Sequence, residues 1–287
     1  MERKEEALIT QSLLSSKKTI YVEGNLDLKT IRLLIERNQI TNVKIVEINN
    51  EVDDSDKPIN ERKTAKEKLI NLIEKANNEG VESQYIGIVD LDYDFFTNNK
   101  KEINNLYYTD FNSMESYLID LQLINLLLSD YDIPELDEER FNKWKANSLS
   151  FSFYFYFQIT NINAIAKENT INFKELRLCN SHFTDFKKEK INLRNIIEAK
   201  SDNSIKMRSD FYKWFFKQNR KVIYSNINLF LHGKYTLKYI ICLLKRIDKK
   251  IQNISEETII YSLRDKLMLN KFNDHLLFRE VLTFSRK

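Results

Sequence analysis

The sequence predicts an α/β fold, a parallel sheet flanked by helices and followed by a mainly helical C-terminal part. Three observations carry this. Two short β-rich runs, Ile20-Tyr21-Val22 and Tyr85-Ile86-Gly87-Ile88-Val89, each end abruptly in acids. Around them, strand-like and helix-like periodicities alternate as β-α-β-α-β within about ninety residues, the signature of parallel strands joined by right-handed crossovers. Beyond residue 130 that alternation is lost. Only 4 glycines and 2 prolines occur in 287 residues, which favours long helices with short connections.

Taken in order, residues 2–16 read as an amphipathic helix with Ala7, Leu8, Leu13 and Leu14 on its apolar side. A strand over 19–23 follows, then Gly24 for a tight turn, Asn25 as a helix cap, and a helix to about Arg37. Residues 43–48 form a second strand by composition. The stretch 49–58, with Glu51, Asp53, Asp54 and Asp56, reads as a solvated loop whose acids could also add to a cation site. A charged helix over 60–78 ends at Gly80. The strand 85–89 comes next, and 106–109 is a fourth, short one. Ser113 can cap a helix carrying Tyr117, Leu118, Leu121, Ile124, Leu127 and Leu128, with Glu115 in its first turn complementing the helix dipole.

In the second half, 151–157 (FSFYFYF) fits either a strand or a buried helix. It could stack unpaired bases or simply fill a core. A strand or hairpin is expected over 171–178, and helices over 186–200, 205–219, 235–250 and 256–270. Lysines and arginines are frequent over 187–221; such a face is either solvated or set against a phosphate backbone. The composition shift near Pro134 divides the chain into 1–130 and 131–287.

Several function classes are disfavoured. A net charge of +3 neither demands nor opposes a nucleic-acid partner. Cys179 and Cys242 form no metal-ligand pattern, so a structural zinc is not expected. His182, His232 and His275 make no paired motif, no serine or cysteine nucleophile elbow is present, and no GxxxxGK[ST] phosphate loop occurs. With no apolar signal core or membrane-length segment, the reading is a soluble, cytoplasmic protein without a membrane partner.

The chemistry concentrates in the two strand ends. In Gly87-Ile88-Val89-Asp90-Leu91-Asp92-Tyr93-Asp94, three acids alternate just past an apolar strand; in Val22-Glu23-Gly24-Asn25-Leu26-Asp27, one acid ends a strand and another follows four residues later. Like charges this close repel unless a cation lies between them, and oxygen-only ligands suit Mg²⁺ or Mn²⁺. If the strands are parallel neighbours, Glu23, Asp90 and Asp92 meet at one sheet edge as a candidate two-metal site.

The pair VEGNLD and GIVDLDYD resembles the TOPRIM fold of topoisomerases, primases and OLD-family nucleases, over roughly 18–120. That resemblance implies metal-dependent phosphodiester chemistry, with Glu23 matching the family glutamate and Asp90 and Asp92 its DxD. Asp27 matches a further acid of the OLD-type enzymes. TDFNSMESYL looks like the third motif of the DUF4435 family, whose acid Glu115 matches; His232-Gly233-Lys234 resembles a weaker feature, with Lys234 near the phosphate. Tyr93-Asp94-Phe95 after the DxD departs from topoisomerases and primases. The DUF4435 family includes the TOPRIM effectors of the PARIS antiphage system. This implies a toxic nuclease, RNA (tRNA included) ahead of DNA as substrate, a separately encoded ABC-type ATPase as partner, and leaves a homodimer open. The competing readings are a structural Mg²⁺ in a signalling module, and a non-catalytic TOPRIM module that scaffolds an ATPase and nucleic acid.

Overall fold

A computed structural model describes residues 17–52, 58, 62–165, 183–185, 190–191 and 227–286. The described chain divides into two compact units, Met1–Met114 with Tyr261–Lys287, and Glu115–Ile260. Composition alone had placed one boundary near 130.

The first unit holds a four-stranded sheet: β1 (Lys18–Val22), β2 (Val43–Glu47), β3 (Tyr85–Val89) and β4 (Leu106–Tyr108). Their order is β2-β1-β3-β4, and every pairing is parallel. The chain therefore moves from β1 outward to β2, then crosses back over β1 to β3. Helix α1 (Asn25–Arg37) makes the first crossing and α2 (Ala65–Asn78) the second. Because strand side chains alternate faces, Tyr21, Tyr85 and Val89 pack with Leu69, Leu72, Ile73 and Ala76 of α2, while Ile20, Val22, Ile86 and Ile88 point to the other face. Gly87 belongs to the α2 side. A Cβ there would stand 2.2 Å from Leu69 Cδ2 and 2.8 Å from Ile73 Cγ1, so the missing side chain is what lets α2 approach.

Some boundaries differ from the sequence reading. Helix α2 starts at Ala65, five residues later than expected, because Thr64 and Glu67 close a capping box: Thr64 N–H donates to Glu67 Oε2 (2.7 Å) and Glu67 N–H to Thr64 Oγ1 (3.2 Å). The single helix expected beyond Ser113 is broken in two. A 3₁₀ turn, Met114–Leu118, precedes α3 (Leu121–Ser129), and Asp120 captures the Leu123 N–H at 3.0 Å and restarts the helix.

In the second unit, the aromatic stretch lies within α4 (Glu138–Ile165), a helix rather than a strand. Phe151 is fully buried, with ring centroids 5.8 Å from Tyr235 and 6.3 Å from Tyr239 of α5 (Gly233–Ile247). That residue fills a core and is no stacking surface. Phe183–Asp185 and Lys190–Ile191 pair antiparallel, so the expected helix over 186–200 fails at 190–191. The expected elements over 2–16, 171–178 and 205–219 lie outside the described residues. Helix α6 (Glu256–Asn270) has the bounds expected and runs from the second unit into the first, where α7 (Leu276–Arg286) follows. Among the described residues, no helix is long and apolar enough to cross a membrane.

Candidate functional site: an acid cluster closed around a lysine

The crevice between β1 and β3 is where the strand order reverses. At such a switch point the connections leave in opposite directions and open a cleft at the carboxyl ends of the strands. Val22 is in register with Ile88, so Glu23 and Asp90 emerge at the same edge. The Glu23 carboxylate reaches across the gap: its Oε1 accepts the Asp90 N–H at 2.7 Å. Burial, reinforced by the charge of Asp92, pushes the Glu23 carboxyl up to about 7, against the opposing pull of Lys66 and the Asp90 N–H. This side chain can hold or release a proton near neutrality.

The turn after β3 is tied down from several directions. Asp90 Oδ1 accepts the Met114 N–H (3.0 Å), and the Leu91 N–H donates to Thr109 Oγ1 (2.9 Å). Asp92 sits in the left-handed region, φ 49°. Aspartate tolerates that conformation better than most residues, and Asn112 secures it from both sides: Asp92 N–H donates to Asn112 O (2.7 Å), and Asn112 Nδ2 donates to Asp92 O (2.6 Å). The turn re-aims the chain so that Asp92 and Asp94 face the same cation.

That cation is Lys66, in the first turn of α2. Its ammonium donates to the Asp90 carbonyl (2.5 Å) and lies 2.9 Å from Asp92 Oδ2 and 2.7 Å from Asp94 Oδ2. The lysine side chain is only 14% exposed, against 50% for Asp92. Burial would push the ammonium below its usual range, but Asp92 and Asp94 outweigh it and hold Lys66 above. Partial burial raises Asp92 above the usual aspartate range against the pull of Lys66, with Asp94 adding to the rise.

The structure thus brings together Glu23, Asp90 and Asp92 from the sequence-predicted set. Asp27 is buried at the start of α1 and its Oδ2 accepts the Gly24 N–H at 2.9 Å, the work of a helix cap. Glu115 and Lys234 belong to the second unit, Glu115 in the 3₁₀ turn and Lys234 exposed in the first turn of α5. Sequence reasoning left two members of the cluster without a role. Asp94 was visible as the third alternating acid. Lys66 had no signal, since it is one of 45 lysines and arginines and nothing local marks it.

No protein-family model matches the chain, and no curated protein matches it. Geometry and donor chemistry carry the functional argument.

Glu23, Asp92 and Asp94 are close enough to disturb one another's charge, and their oxygens suit a hard divalent cation. Among the described residues no group of three or more His, Cys, Asp or Glu side chains is set as metal ligands. The donor set fits Mg²⁺ or Mn²⁺ in chemistry, while its present arrangement is closed around an ammonium.

Proposed function

We propose that this chain is a Mg²⁺- or Mn²⁺-dependent phosphodiesterase acting on nucleic acid, with Glu23, Asp90 and Asp92 as its central acids. The observation that carries the reading is their meeting at the switch point of a parallel sheet, with Glu23 reaching from β1 to the backbone of Asp90 after β3. The ion, held by Glu23, Asp90 and Asp92 with Asp94 beside them, would supply an activated water and charge stabilisation at the attacked phosphate. The chain's own contribution is separate. In the alternative arrangement Asp90 and Asp92 hold the ion and Glu23 serves instead as the general base, taking a proton at its carboxylate. The Asp92–Asn112 clamp fixes the turn that presents Asp92. Asp94 and Lys66 set the local charge. RNA ahead of DNA, a role as a toxic antiphage effector and a separately encoded ABC-type ATPase partner rest on the family resemblance of the motifs alone.

The deciding experiment is a cleavage assay on tRNA, single-stranded DNA and duplex DNA with Mg²⁺ or Mn²⁺, with EDTA as a control. Glu23→Gln is the preferred variant, because its amide oxygen still accepts the Asp90 N–H. Cutting by the wild type that EDTA abolishes, and that falls at least ~100-fold in folded Glu23→Gln, is expected. Full activity in that variant would overturn the assignment. Metal binding without cleavage, and without Glu23-dependent toxicity in cells, would favour the scaffold reading.

A further inference from the structure

The position of Lys66 bears on how the proposed metal site is regulated, and the inference rests on that reading of the site. We propose that Lys66 is a built-in counter-cation: its ammonium stands where a divalent ion would, and the ion loads only by displacing it.

Three observations support this. First, the three protons of the ammonium are matched by three oxygens, the Asp90 carbonyl, Asp92 Oδ2 and Asp94 Oδ2, at 2.5–2.9 Å. These are the hard oxygen donors a Mg²⁺ or Mn²⁺ ion takes. Second, Lys66 sits in the first turn of α2, where the helix dipole repels a positive charge. The helix does not favour a lysine there; the acids do. Third, the surrounding charge exceeds what one ammonium cancels, since Glu23 also feels Asp92 and Asp94. Exchanging a single charge for a double one leaves the cluster better compensated. The flexible four-carbon stem lets the ammonium swing aside while staying tethered at the rim.

Two consequences follow. The metal affinity of the free protein is held down by competition with an ammonium that never diffuses away. Once displaced, Lys66 is a free cation beside the site, able to meet the phosphate of an arriving substrate. Metal and phosphodiester then favour each other's binding, by linkage. In the metal-free protein Lys66 acts as a positioning residue, through the acids it neutralises.

The test is Mn²⁺ titration of the full chain by calorimetry, comparing wild type, Lys66→Met and Lys66→Arg. Lys66→Met should bind Mn²⁺ at least ~10-fold more tightly, while Lys66→Arg, which keeps the charge, stays close to wild type. A purely structural lysine would give the opposite sign, with weaker binding as the site loosens. Equal or weaker binding in folded Lys66→Met overturns the displacement idea and leaves the hydrolase reading standing. Absence of Mn²⁺ binding in all three proteins overturns both. A second measurement needs no methionine variant. In wild type with isotope-labelled lysine, the side-chain resonance of Lys66, identified by its loss in Lys66→Arg, should narrow and move when Mg²⁺ is added. An unchanged resonance under conditions where Mg²⁺ binds overturns the proposal.

Discussion

Gly87 shows how much a single missing methyl can decide in this molecule. The position is extended strand, so its glycine is not required by backbone conformation; it is required by Leu69 and Ile73 pressed against it. Gly87→Ala forces α2 away from the sheet and should cost ~1–3 kcal/mol in urea denaturation. Pairing it with Leu69→Ala should recover part of that loss, which a strand-propensity effect would not do. Because α2 also carries Lys66, Gly87→Ala should disturb the acid cluster as well as the core. At Glu23 the consequence is pH dependence. Its folded proton affinity lies at about 7 against an ordinary 4.5, so between those values the folded chain holds more protons than the unfolded one. The metal-free protein should therefore lose stability as pH rises from 4.5 to 7. Thermal melts of Glu23→Gln should flatten this slope.

At the scale of the elements, caps decide where the helices begin. Asp27 separates two explanations that sequence alone could not, metal ligand and helix cap. Asp27→Asn keeps an oxygen for the Gly24 N–H and should leave stability nearly unchanged. Asp27→Ala should cost ~1 kcal/mol, read from the denaturation midpoint. The strands β1 and β3 were legible in the sequence because each is a short, β-rich apolar run with polar ends, as a buried parallel strand should be. The site's backbone was legible for the same reason, since acids that end such strands must gather at one edge. What the sequence hid was the partner of those acids. Lys66 meets them only through the crossover of α2, and no spacing encodes a contact across 24 or 26 residues. The break before α3 was hidden too, since Asp120 sits within an unbroken helical periodicity and its capping role depends on local geometry.

At the scale of the molecule, the two units answer acid differently. His232, at the N-cap of α5 with its N–H donated to Ser152 Oγ at 2.7 Å, has its imidazole pushed by burial from 6.5 down to about 3. Between those values the unfolded chain binds the extra proton, so stability is full above pH 6.5 and is lost as pH falls toward 3. The loss is on the order of 1 kcal/mol per pH unit across that window. Acid unfolding followed by tryptophan fluorescence, with Trp144 buried in the same unit, should show this, and His232→Asn should blunt it.

The first unit is discontinuous. Lys18 Nζ, on the first strand, donates to the carbonyl of Phe284 at 2.6 Å, 266 residues later, and α7 packs on α1. A ribosome must therefore make residues 115–260 before the segment that finishes the unit can emerge. At 5–20 residues per second that is a delay of roughly 7–30 s. The acids of β1 and β3 are synthesised before residues 115–260, yet lack part of their scaffold until the segment beyond 260 has emerged. A nascent chain of this protein therefore carries the acid cluster for some time before the unit around it can be completed.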